Sequence, residues 1–380
     1  MSLNYLLKGQ ISLKKLSIPE IFKGYIPVLD GLRGVSILFV VFSHVVHSNN
    51  SPKWLMNVGN FLTVGNLGVQ IFFFISGFLI TGLLLKEKAK SNSINLYKFY
   101  WRRFLRIFPV FYFFLLFVFI ASYTHFSVHI DNKSFIGPLC YISNFTYGEY
   151  GKGWFLGHSW SLSIEEQFYI IWPFLLLLVT GFKNLYFILF LIAHILIRVI
   201  YYKDPMIGRM LLGPFLEYAP LLLSGAILAF LSFTEKLNLI KLLNRLNQVF
   251  ILIVFCIILF IEYLGGHGKF GIILLPFGKV ITSTMLFFMV GYILFVSDIL
   301  KTLLNNKGLL FIGKVSYSWY IWQQIFLTQR GNFYFSGDNS FLNIFPYNII
   351  ASFTVAVLSY FTVEKYFLQF KYSFNKSKTL

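Results

Sequence analysis

The stretch LDGLRGVSILFVVFSHVVH, Leu29 to His47, decides how the rest of the chain is read. It is apolar enough to enter a bilayer, yet it carries Arg33 near one end and His44 and His47 near the other. On an α-helix the step from Arg33 to His44 turns through about 1100°, three turns and roughly 20° more, so the two share a face. They lie about 16 Å apart along the axis, one near a membrane surface and the other deep inside or towards the opposite surface. Taken singly, Arg33 reads as a snorkelling anchor and His44 as a hydrogen-bonded core residue. Sharing a face, they read as functional, because ionisable groups within spans normally point into the bundle or a wet cavity. Asp30, three residues before Arg33, can pair with it and hold its orientation. His47 is set to one side of that face and reads as an outer interfacial residue.

Outward from this stretch the pattern repeats. Of 380 residues, 57% are hydrophobic and 12% charged, with 47 Phe and a mean hydropathy of +0.71. A soluble chain carries about a quarter charged residues. Ten apolar runs of spanning length recur, at about 33–49, 61–85, 104–124, 164–181, 184–202, 211–232, 248–264, 271–297, 308–329 and 344–364. The expected fold is therefore all-α, a polytopic membrane protein of about ten transmembrane helices, with no stretch left for a soluble domain. The formal charge of +18 follows from the excess of basic residues in cytoplasmic loops and calls for no nucleic acid. With the N-terminus inside, 22 of the 32 lysines and arginines fall in cytoplasmic segments. An even number of spans then leaves both termini cytoplasmic.

The expected organisation is a cytoplasmic N-terminal segment 1–27, a membrane-embedded domain 28–366 and a cytoplasmic tail 367–380. The N-terminus lacks a continuous apolar core and a small-residue cleavage site, so the first span is expected to direct insertion. Cys140 and Cys256, the two cysteines, argue against a disulfide framework or a cysteine-based metal site. Two connections stand out. KEKAKSNSINLYKFYWRRFLRIFP is basic and expected inside, with Pro109 tolerable near a helix start. The other, about 125–163, is long, nearly neutral and rich in Gly, Tyr and Trp, and is expected to lie outside and ordered.

Two motifs add candidate chemistry. WRRFLR sets Arg102, Arg103 and Arg106 within two helical turns at a membrane entrance. This is either a charge anchor or a bidentate grip for phosphates. In WSLSIEEQFY, Ser163 and Glu166 fit a capping box. Glu165, about 100° away, is not needed for the cap and either faces the bundle or is incidental. Ser76 and Gly77 suit close helix packing. Trp154 and Trp160 belong to an interfacial aromatic belt or stack on sugar rings. Tyr317, Tyr320 and Gln323 can hydrogen-bond inside a bundle.

In this order the motifs resemble those of the acyltransferase-3 family of bacterial integral membrane proteins. LDGLRGVSILFVVFSH is similar to the family's opening helix, GVQIFFFISGFLIT to its second, RRFLRIFP to its Arg-x-x-Arg element and WSLSIEEQFY to its acidic motif, with Glu165 at the matching glutamate. IGKVSYSWYIWQQ and VEKYF resemble the last two signatures. Many relatives carry His after the tryptophan of the late motif, where this chain has Gln323 after Trp322. Some relatives append a soluble esterase-like domain; this chain is expected to act alone or with a separate partner.

The resemblance implies a membrane-embedded O-acyltransferase in the bacterial inner (plasma) membrane, surrounded by lipid and serving cell-envelope polysaccharide biosynthesis. The donor would be acetyl-CoA from the cytoplasm, a co-substrate needing no metal, and the acceptor a glycan hydroxyl on the outer side. Arg103 and Arg106, with Arg102, would bind the donor phosphates. His44 would be general base or acyl carrier, Arg33 would hold the donor or stabilise an oxyanion, and Glu165 would orient His44 or the acceptor. A neutral imidazole, with an unperturbed pKa of about 6.5, suits proton abstraction. Rival readings are a transporter using intramembrane Arg, His and Glu, and a receptor or scaffold whose basic loop binds anionic lipid. No oligomeric state is implied.

Overall fold

The computed structural model describes residues 18–124, 130–146, 154–178, 194, 196, 198–200, 205–331, 335 and 337–376. These residues form a helical bundle whose principal helices are α1 (Pro27–Val45), α2 (Gly65–Ser91), α3 (Leu96–Thr124), α4 (Ser159–Leu178), α5 (Pro205–Thr234), α6 (Gln248–Gly266), α7 (Gly271–Phe295), α8 (Lys307–Phe326) and α9 (Tyr347–Ser359). A π-helical turn, Tyr360–Glu364, joins α9 to α10 (Lys365–Lys376). Seven helices among the described residues are long and apolar enough to cross a membrane: α1, α2, α3, Phe215–Thr234 of α5, α6, α7 and Tyr347–Phe370. α4 and α8 are each 20 residues long. They fall outside that set; α8 carries Tyr317, Tyr320, Gln323 and Gln324 along its length. The expected span at 184–202 and the N-terminal residues 1–17 lie largely or wholly outside the described residues.

Helix ends depart from the sequence expectation where local chemistry favours another start. α1 begins at Pro27, with Pro in its first turn and Asp30 at its positive end. It ends at Val45, so His47 lies beyond the helix. α3 begins at Leu96, which puts Pro109 inside the helix rather than near its start. The proline removes the amide that would bond the Leu105 carbonyl. Beside this break the Tyr317 hydroxyl donates to the Ile107 carbonyl at 2.7 Å, pinning α8 to α3. α4 begins at Ser159, a turn before Ser163, so the expected capping box does not form. Ser163 instead donates to the Ser159 carbonyl at 2.9 Å and accepts from the Ser143 amide at 3.1 Å.

Two helix crossings organise the bundle. α2 packs on α5, and α8 packs on α1. Gly77 lies against the Leu222 carbonyl and Gly225 against the Phe74 carbonyl, so neither position has room for a Cβ. Gly313 of α8 meets the Asp30 carbonyl of α1 in the same way. Lipid tails are as apolar as leucine, so close backbone approach of this kind supplies the packing that holds membrane helices together. Beyond α1 the chain is tied to the ends of α8 and α9 by a buried polar cluster. Asn49 Nδ2 donates to Thr328 Oγ1 at 3.2 Å, Asn348 Nδ2 to Ser48 Oγ at 3.0 Å and Asn343 Nδ2 to the Ile325 carbonyl at 3.0 Å. This cluster fixes the end of α1 that carries His44 against the end of α8 that carries Gln323.

Candidate functional site

Arg33 of α1, Arg103 and Arg106 of α3 and Glu165 of α4 line one cavity of about 80 Å³, together with Tyr169, Lys314, Tyr320 and Glu364. Two helices distant in the sequence, α1 and α3, thus bring Arg33, Arg103 and Arg106 of the expected donor side together, and α4 adds Glu165. Asp30 lies 3.6 Å from Arg33 and also accepts from the Tyr25 hydroxyl, which holds the guanidinium from the helix entrance. The Arg103 guanidinium stands over the rings of Tyr169 and Phe99, 5.3 and 5.9 Å from their centroids, a placement favoured by the ring quadrupole. Glu165 accepts from the Ser76 hydroxyl at 2.8 Å, and the Tyr169 hydroxyl lies 3.2 Å from its other oxygen. With four cations against two carboxylates at its walls, the cavity suits an anion.

Arg102 is not part of this cavity. It pairs with Glu87 at 3.1 Å, while Glu87 also accepts from the Asn95 amide at 2.9 Å, so Arg102 closes the connection between α2 and α3. Adjacent residues on a helix point about 100° apart, and Arg102 therefore faces away when Arg103 and Arg106 face in.

His44 lies elsewhere. It lines a second cavity of about 390 Å³ with Ser43, His47, Trp154, Gln329 and Arg330, and the two cavities share no lining residue. Arg33 and His44, which share a helix face, therefore line different cavities rather than one common cavity. Phe72 and Tyr320 line the arginine cavity, their ring centroids 6.3 Å apart, with the Tyr320 hydroxyl 2.6 Å from Ser161 Oγ. Glu165 sits with the arginines, not with His44.

The Nδ1 atom of His44 is 3.1 Å from Oε1 of Gln323, which is fully buried. An amide oxygen only accepts, so the pair puts the proton on Nδ1 and leaves Nε2 with the free lone pair. The Trp154 ring meets the imidazole edge-on at 5.3 Å, and its Nε1 donates to the Gln324 carbonyl at 3.0 Å. Trp154 is thereby placed in the His44 cavity, whereas Trp160 packs on Phe73 and Tyr218.

Sequence reasoning read Gln323 as able to hydrogen-bond inside the bundle and as a departure after Trp322, but did not name it as the partner of His44. It also assigned no role to Glu364, which is 4% exposed, accepts from Ser318 at 2.8 Å and lies in the π-helical turn beside the arginine cavity. Such turns are frequent at functional sites. Among the described residues no group of three His, Cys, Asp or Glu side chains is set to hold a metal ion.

Comparison with known proteins identifies the family. A family profile described as an acyltransferase domain, of the acyltransferase-3 type, matches residues 26–363. The chain is similar to O-acetyltransferase OatA of Staphylococcus aureus strain NCTC 8325 / PS 47, 29% identical over 357 residues covering 90% of this chain and 57% of that protein. It is also similar to SACOL0978 of Staphylococcus aureus strain COL, provisionally named an O-acetyltransferase, 32% identical over 367 residues with the same coverage. The chain thus spans little more than half the length of these relatives. No solved structure matches it. With the motifs, the helical bundle and a profile match over nearly all of its length, the chain belongs to the acyltransferase-3 family.

Proposed function

We propose that the chain is a membrane-embedded O-acyltransferase that moves an acetyl group from cytoplasmic acetyl-CoA to a hydroxyl of a surface polysaccharide, in a bacterial plasma membrane. In this reading residues 28–366 form the membrane unit, about ten spans leave both termini in the cytoplasm, and the arginine cavity opens inward. The single observation that carries it is the division of labour along α1: a cationic cavity at Arg33, and a hydrogen-bonded imidazole at His44 in a separate cavity. The names of the relatives support acetyl as the group transferred.

Arg103 and Arg106, with Arg33 beside them, hold the donor phosphates bidentately. Glu165 and Glu364 balance and position these cations. As it stands the cavity holds only a few waters, so the bundle opens around it to admit the donor, whose thioester arm runs along α1 towards His44. Nε2 of His44 takes the proton of the acceptor hydroxyl while the hydroxyl oxygen attacks the thioester carbonyl carbon. The new C–O bond forms, the C–S bond breaks, and the thiolate takes the proton back from the imidazolium to leave as free CoA. General base catalysis of this kind contributes about 100- to 10,000-fold.

The test is direct. Purified protein in liposomes, with radiolabelled acetyl-CoA within and surface polysaccharide outside, should yield alkali-labile label on the polysaccharide. A transporter or receptor would leave the polysaccharide unlabelled.

A further inference from the structure

Through Ser43 and His47 the His44 cavity adjoins a larger one of about 570 Å³, bounded by the start of α2, the end of α6 and the start of α7. Its walls are unlike those of an ordinary helix contact. Glu262 of α6 is 8% exposed, and its two oxygens accept from Asn66 Nδ2 at 2.8 Å and Gln70 Nε2 at 2.7 Å. The Tyr218 hydroxyl donates to Asn66 Oδ1 at 3.0 Å, which fixes the amide that in turn fixes the carboxylate. Lys279 of α7 lines the same cavity, its ammonium 5.0 Å from the centre of the Tyr218 ring. Thr282, 1% exposed, also faces it, and its hydroxyl has no hydrogen-bond partner.

A carboxylate and a lysine within apolar helices are costly and mark function. A buried hydroxyl left without a partner is a further cost. The acyl-transfer steps use none of the three. Each Glu262 oxygen has accepted one hydrogen bond and retains capacity for another. Lys279 brings donors, and Thr282 brings both roles. Alternating acceptors and donors around a roomy cavity match the hydroxyls of a sugar, and no apolar ligand would repay their burial.

We propose that this cavity is the acceptor subsite and binds one sugar unit of the polysaccharide: Glu262 accepts from its hydroxyls, Lys279 and Thr282 donate, and the hydroxyl to be acylated extends past Ser43 and His47 to His44. The inference rests on the acyltransferase reading above and adds to it the site and chemistry of acceptor recognition.

The experiment uses the full-length protein in membrane vesicles with radiolabelled acetyl-CoA and the isolated surface polysaccharide of the producing cell as probe. Glu262→Gln, Lys279→Met and Gly278→Leu are compared with wild type and with Leu252→Ala, on the outward face of α6. Gly278 lines the cavity, and a Cβ added there meets nothing nearer than Leu274 at 3.7 Å, so the position has room for a side chain. Each of the three should raise the polysaccharide concentration for half-maximal labelling at least tenfold and leave that for acetyl-CoA within twofold of wild type. Should a glutamine at 262 prevent accumulation of the protein, the other two carry the test. Unchanged polysaccharide dependence in the variants that fold, or an equal shift for both substrates, overturns the proposal. Wild-type vesicles that label no polysaccharide would instead overturn acyl transfer itself, and the subsite with it.

Discussion

Gln323 and His44 meet across the bundle at 3.1 Å, oxygen to Nδ1, though 279 residues separate them. The amide orients the imidazole and selects its tautomer, a task that another side chain with an acceptor at this position would also perform. Under the proposed mechanism, this contact is what would hold His44 as a base in a chain with Gln after Trp322.

Replacing Gln323 by Leu should therefore act on the chemical step. It leaves the Nδ1 proton buried without an acceptor, a penalty of about 1–3 kcal/mol. We expect kcat to fall about 5- to 150-fold, with acceptor KM nearly unchanged and Gln323→Glu closer to wild type. Initial rates of acetyl transfer decide between this and a merely structural role, which would lower the melting temperature without the kcat and KM split.

The arginines should separate by position. Arg103→Ala and Arg106→Ala each remove a charged hydrogen-bonding group from the anionic end of the donor, worth about 1.5–3 kcal/mol, and should raise the KM for acetyl-CoA by about 10- to 150-fold. Arg102→Ala, which breaks only a part-buried pair with Glu87 outside the cavity, should stay within threefold of wild type. Donor titrations on the three variants test the distinction.

Helix packing gives a stability prediction independent of chemistry. A methyl at Gly77 runs into the Leu222 carbonyl, while one at Gly271 meets only Leu275 at 3.9 Å. Gly77→Ala should destabilise by about 1–3 kcal/mol, and Gly271→Ala should be neutral or slightly stabilising. Thermal melts in lipid nanodiscs would show the difference.

Orientation is equally accessible. Cys140 and Cys256 are free and exposed and are first replaced by Ser. Asn50→Cys, at the His44 end, should then react with a membrane-impermeant maleimide on intact cells. Leu237→Cys, 75% exposed between α5 and α6, should react only after permeabilisation.

Much of the fold was legible because the bilayer imposes a length. Apolar runs such as 61–85 and 248–264 announce helices whatever their partners. The shared face of Arg33 and His44 was legible too, since helical periodicity fixes it within one segment. That they line different cavities was not, because those walls are built largely by other helices and nothing in α1 encodes them. The inward set of Arg103 and Arg106 followed their i, i+3 spacing, whereas the Glu87 partner of Arg102 lies on a different helix. Ser163 and Glu166 matched a capping pattern, but the helix begins a turn earlier, at Ser159, where the Ser159 hydroxyl bonds the Leu156 carbonyl at 2.6 Å. The acceptor-side Glu262 and Lys279 sit in runs so apolar that each reads as an isolated exception until α6 and α7 are seen to face one cavity.

The most direct measurement is acetyl transfer by His44→Ala protein that melts like wild type and still binds acetyl-CoA. Loss of about 100- to 10,000-fold in turnover, with the donor KM unchanged, is the result expected if His44 does the chemistry at the far end of a helix whose near end holds the donor. Turnover close to wild type in that variant would contradict both a base and an acyl-carrying role for His44, and with them the division of the bundle into a donor end and an acceptor end.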